Sequence, residues 1–74
     1  MKNETKRDKF VRLAEARTNK IISMIRLLGN CSNSRIYEYS REDIKKIFGT
    51  TEEELKNAKA RFEIADSEDK KFSL

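Results

Sequence analysis

The sequence predicts an all-α fold: an antiparallel two-helix hairpin, two copies of which pack into a four-helix bundle. Three observations carry this. The 74 residues contain no proline and only two glycines, a composition that suits long helices and disfavours a turn-rich β-sandwich or barrel. Two segments repeat apolar residues at helical spacing, each behind a capping residue. One connection of about 11 residues joins them, which places helices of similar length side by side and antiparallel.

The first helix is expected over about residues 5–28. Thr5 followed three residues later by Asp8 is a variant of the capping box. Phe10, Ala14, Ile21, Ile25 and Leu28 then recur at steps of three, four and seven, one face of a helix. Gly29-Asn30 supplies the stop, since either residue can take the left-handed conformation that closes a helix. Arg17 and Thr18 interrupt the stripe. A polar residue at a seam fixes register or partner choice, or else sits at the stripe edge and reaches solvent.

Residues 29–39 (GNCSNSRIYEY) form the connection. Asn30, Ser32, Asn33 and Ser34 offer side-chain hydrogen bonds that compete with helix. Ile36, Tyr37 and Tyr39 are apolar enough to fold back over the end of the helical pair. The second helix is expected over about residues 41–65. Ser40 is its N-cap, with Asp43 at the third helical position and a Tyr39–Ile44 staple around the cap. Glu42 and Asp43 suit the positive end of the helix dipole. Gly49-Thr50 offers a break, but Ile44, Phe48, Thr51, Leu55, Ala58, Phe62 and Ala65 step by four and three without a slip. The helix is therefore expected to run through Gly49. One hairpin domain spans 1–65, and 66–74 is a polar tail that frays.

Composition narrows the function classes. The absence of histidine removes imidazole as base, shuttle or ligand. The single cysteine, Cys31, excludes an intrachain disulfide and a Cys-based zinc site, and reads as a small loop residue in a reducing compartment. No cofactor and no metal are expected. No run of about 18 apolar residues is present, and the start, MKNETKRDKF, has no apolar signal core. The expectation is a cytoplasmic protein with no membrane span. Two helices offer no concave pocket, so no enzyme is expected. Glu52, Glu53 and Glu54, with Lys56, Lys59 and Glu63, read as ordinary helix-surface charge.

The net charge of +4 is uneven. Residues 1–30 carry eight Lys/Arg and three Asp/Glu, a net of +5; residues 31–74 carry nine and ten, a net of −1. On a helical wheel with Ile21 at 0°, the apolar residues of IISMIRLL span about 220°, whereas one partner helix needs a stripe of about 100° or somewhat more. The surplus predicts a homodimer, or a larger protein partner, docking on Ile22, Met24, Leu27 and Tyr37. Lys2, Lys6, Lys9, Arg17 and Lys20 fall at about 240–320°, a basic flank beside that arc. They are the candidate phosphate contacts if the partner is nucleic acid, and otherwise a solvated edge whose stems cover apolar surface. No aromatics interleave with the lysines as a base-stacking platform requires, and the connection is too long for a helix-turn-helix turn.

The segments RLAEARTNKIISMIRLLGNCSN and YEYSREDIKKIFGTTEEELKNAKARF resemble a group of short helical proteins encoded on phages and mobile elements of low-GC Gram-positive bacteria. The likeness spans about residues 10–62, and LLGNCSN followed by YEYS and KIF is its most distinctive part. The group has no settled activity, so the resemblance supplies no site residues. It implies a regulator, an accessory protein of DNA transfer, or an inhibitor of a host system.

Overall fold

The computed structural model describes residues 3–69, with side chains through residue 66. It contains two α-helices and, among the described residues, no strand. α1 is Lys6–Asn30 and α2 is Arg41–Asp69. At 1.5 Å per residue their 25 and 29 residues correspond to roughly 37 and 43 Å of helix. The chain divides into two units, Met1–Glu38 around α1 and Tyr39–Leu74 around α2.

Both helices start by the same device. At α1 the Asp8 N–H donates to Thr5 Oγ1 (3.0 Å), and the Thr5 N–H donates to Asp8 Oδ2 (3.3 Å). At α2 the Asp43 N–H donates to Ser40 Oγ (3.1 Å), and the Ser40 N–H donates to Asp43 Oδ2 (2.9 Å). Each box satisfies two backbone donors that the helix start leaves without partners, using Asp where Glu is more usual. Each also puts a carboxylate at the positive end of the helix. Tyr39 and Ile44, on either side of the Ser40 cap, line one shallow depression with Arg41 and Lys45.

The end of α1 differs from the expectation. No residue described has a positive φ, glycines included. Gly29 and Asn30 stay helical, and the last turn tightens instead: Cys31 N–H donates to Leu28 O (3.0 Å) and Ser32 N–H to Gly29 O (3.1 Å). These i→i+3 bonds use up terminal carbonyls without a left-handed residue. A short turn follows around Asn33. Its side-chain oxygen accepts from Arg35 N–H (3.1 Å), and its carbonyl accepts from the N–H groups of Ile36 and Tyr37 (3.1 and 3.0 Å). This is the competition between Asn side chains and helix in operation.

α2 runs through Gly49 unbroken and continues to Asp69, four residues past the expected end at Ala65. The polar stretch that starts at Asp66 is thus helical as far as Asp69; the tail residues 70–74 lie outside the described residues. Beside Gly49, the Thr51 hydroxyl donates to the Ile47 carbonyl at 2.7 Å. That carbonyl lies one turn back in the same helix, the local bond that a threonine side chain makes to its own backbone.

Candidate protein interface

Among the described residues neither unit has a core. No described residue is buried, and of the large apolar side chains only Val11, Leu13 and Leu28 reach even intermediate exposure. Helices in proteins draw most of their stability from packing an apolar face rather than from intrinsic propensity. The exposed apolar faces are therefore the candidate interaction surface.

The two faces differ in width. On α2, taking Ile44 as 0°, the residues Ile44, Ile47, Phe48, Thr51, Leu55, Ala58, Phe62 and Ala65 fall within about 100°. Ile64 lies outside this stripe, on the far side. On α1 the arc spans about 220° over residues 21–28, more than twice as wide. Ile22 is 40% exposed, Met24 60% and Leu27 57%. Ile22 sits on one border of the arc and Leu27 on the other, with Met24 nearer Leu27. These three candidate residues therefore frame a broad face within about one and a half turns, and do not form a single point of contact. Tyr37 is half exposed and lies past the Asn33 turn, outside the helix. Ile36 beside it, expected to fold back over the helix end, is 71% exposed.

Lys6, Lys9, Arg17 and Lys20 all lie exposed on α1, along about 21 Å of the helix. Lys2 lies outside the described residues. The acids of α1, Asp8 and Glu15, fall at about 120–140° on the wheel, away from this flank at 240–320°. Arg7 is not part of it, and its guanidinium stands 5.9 Å from the Phe10 ring centroid, a cation–π distance.

Sequence reasoning missed one well-formed contact. Arg12 grips Glu4 with two bonds, Nε–Oε2 at 2.6 Å and Nη2–Oε1 at 3.0 Å. The hydrogen bonds from Arg12, followed by its positive charge, hold the Glu4 carboxyl below its usual range. The residues stand eight apart across the N-cap, so no helical spacing rule could signal the pair. Asp43 is likewise held low, mainly by hydrogen bonds from the Ser40 backbone and side chain, with Lys46 adding a smaller charge effect.

No family model, curated protein or solved structure matches this chain. The surface chemistry therefore carries the functional reading. Among the described residues, no three acidic or sulfur side chains are grouped to hold a metal ion, and no helix is long and apolar enough to cross a membrane.

Proposed function

We propose that the chain is a non-enzymatic interaction module: an antiparallel helical hairpin that pairs with a second copy of itself. The observation that carries the reading is the mismatch in width, about 220° of apolar arc on α1 against about 100° on α2. Packing α2 against α1 covers the centre of the α1 arc and leaves its borders, Ile22 on one side and Met24 and Leu27 on the other, for a further partner. A four-helix bundle of two hairpins gives each helix the additional neighbour that such a width calls for. Tyr37, beside the helix ends, extends the same surface. The resemblance to mobile-element proteins favours a regulator or inhibitor that works by contact, its dimer presenting a surface to a larger protein.

Light scattering on the purified chain and on Leu27→Asp tests this. The reading expects a dimer for the wild type and a monomer for the variant. A wild-type monomer at high concentration overturns it.

A second reading rests on a separate observation, the basic flank of Lys6, Lys9, Arg17 and Lys20 with no acid of α1 on the same side. Such a row, with Lys2, fits contact with nucleic-acid phosphates. It predicts binding that weakens steeply with salt, because neutralised phosphates release their counterions. No retardation in a low-salt gel shift removes it.

A further inference from the structure

We infer that α2 pairs with α2 of a second copy as an antiparallel coiled coil, in the register where facing residues have numbers that sum to 113. The inference shares a second copy with the proposed function and goes beyond it by assigning that copy to α2. Phe48, Leu55 and Phe62 recur every seven residues on the α2 stripe, and Thr51, Ala58 and Ala65 recur every seven between them. This is a heptad seam in which one core position is always large and the other always small. In the inferred register Phe48 faces the second copy's Ala65, Leu55 its Ala58 and Phe62 its Thr51. The pairing is twofold symmetric, so each contact occurs twice. Every layer over residues 48–65, about 27 Å of helix, sets a large side chain against a small one, which packs evenly. A parallel pair instead sets Phe48 on Phe48 and Ala58 on Ala58, and no single helix separation fits both layers.

Charge complementarity selects the register. Glu52 and Lys59 stand seven apart on one flank of the seam, and Glu54 and Arg61 seven apart on the other. Equivalent flanks meet in an antiparallel pair. Glu52 then lies beside the second copy's Lys59, Glu54 beside its Arg61 and Lys45 beside its Asp66. No like charges are nearest neighbours. A shift of one heptad either way reverses this. A sum of 106 sets Glu52 beside Glu52 and Glu54 beside Glu54, and a sum of 120 sets Lys59 beside Lys59 and Arg61 beside Arg61.

The structure leaves these groups open to a partner. Leu55 and Phe62 are each 65% exposed and Phe48 is 43% exposed. Among the described residues, Glu52, Glu54, Lys59 and Arg61 form no ion pair. Thr51 is the one polar residue of the seam, and its hydroxyl already donates to the Ile47 carbonyl at 2.7 Å. It therefore faces the second copy's Phe62 with its donor satisfied, and burying it leaves no unpaired donor.

A charge exchange tests the pairing. Arg61→Glu makes both Glu54–Arg61 contacts repulsive, and Glu54→Arg combined with Arg61→Glu restores them with the signs reversed. Neither position has a charged residue three or four away along α2, so the exchange leaves the helix itself little changed. Sedimentation equilibrium at low salt should show Arg61→Glu dimerising about tenfold more weakly than the wild type, and the double variant within about threefold of it. Rescue in the double variant separates lost pairing from lost folding. A parallel pair sets Glu54 beside Lys59 and Arg61 beside Asp66, so there the double exchange weakens the dimer further. A double variant no stronger than Arg61→Glu therefore overturns the antiparallel register, and an Arg61→Glu dimer as strong as the wild type overturns the α2 seam. Leu27→Asp separates this inference from the proposed function. If it is monomeric while Arg61→Glu dimerises normally, the proposed function stands and this inference falls. If it still dimerises and the charge exchange rescues, this inference stands and the α1 interface falls. A wild-type monomer at high concentration overturns both.

Discussion

Ser40 and Asp43 hold each other reciprocally at the start of α2, each side-chain oxygen accepting the other residue's backbone N–H, at 3.1 and 2.9 Å. Thr5 and Asp8 do the same at α1. With none of the described residues buried, these boxes are the main fixed points of local structure.

Removing the cap should therefore be felt. Ser40→Ala should lower the stability of α2 by about 1 kcal/mol, the usual cost of losing an N-cap side chain. Ser40→Thr should retain most of it. The check is thermal unfolding followed by circular dichroism, with Ser34→Ala in the connection as the control expected to change little.

The α2 cap and the Glu4–Arg12 pair should make helix content sensitive to acid. The carboxyl groups of Asp43 and Glu4 both titrate below their ordinary values. A carboxylate lowered on folding adds stability that is fully present above its unfolded pKa and is lost as pH falls through its folded pKa. Helix content should hold from neutrality down to the ordinary carboxylate range, near pH 4, and decline below it. Asp43→Asn should flatten that decline while lowering helicity at neutral pH. A pH titration of the ellipticity at low salt reads both effects.

Gly49 lies within α2 with negative φ, off the apolar stripe, and a Cβ built there meets nothing within 4 Å. Gly49→Ala should raise helix stability by up to about 1 kcal/mol, since alanine loses less backbone entropy in a helix. Gly29 is equally open and also lacks a positive φ, so Gly29→Ala should be tolerated too. A marked loss of helicity in Gly29→Ala, measured by circular dichroism, would show that the end of α1 needs a left-handed residue after all.

At the proposed interface, Met24→Asp should act through association rather than through the helix itself. It places a charge on the α1 arc, where desolvation is costly. The variant is expected to unfold at a lower temperature than the wild type, with the difference growing as protein concentration rises. Asn19→Asp, a charge added on the opposite side of α1, should show no such concentration dependence. Differential scanning calorimetry at several concentrations distinguishes the two.

Much of the local structure was legible in the sequence because its signals are local. Ser40-x-x-Asp43 encodes its cap within four residues, and the unbroken phase from Ile44 to Ala65 outvotes Gly49, whose helical cost is small. The end of α1 was misread because Gly29-Asn30 permits a left-handed close without requiring one; the i→i+3 bonds of Cys31 and Ser32 serve the same carbonyls. The end of α2 was placed at Ala65 because the apolar stripe stops there, but the backbone helix continues to Asp69 through residues that have no apolar face. The Glu4–Arg12 pair escaped because its partners stand on opposite sides of a cap, where the helical period does not apply. The width of the α1 arc was readable from Ile22, Met24 and Leu27 alone. What covers it depends on residues distant in the chain or on another molecule, which no local pattern encodes.

If a second copy of the chain covers the borders of the α1 arc at Ile22, Met24 and Leu27, the mass of the protein in solution must depend on its concentration. Sedimentation equilibrium of the wild-type chain over a range of concentrations measures this most directly. A homodimer requires a mass that rises from the 8.7 kDa of one chain to twice that value and levels off there. A mass that stays at 8.7 kDa throughout, with helix content unchanged, would contradict it.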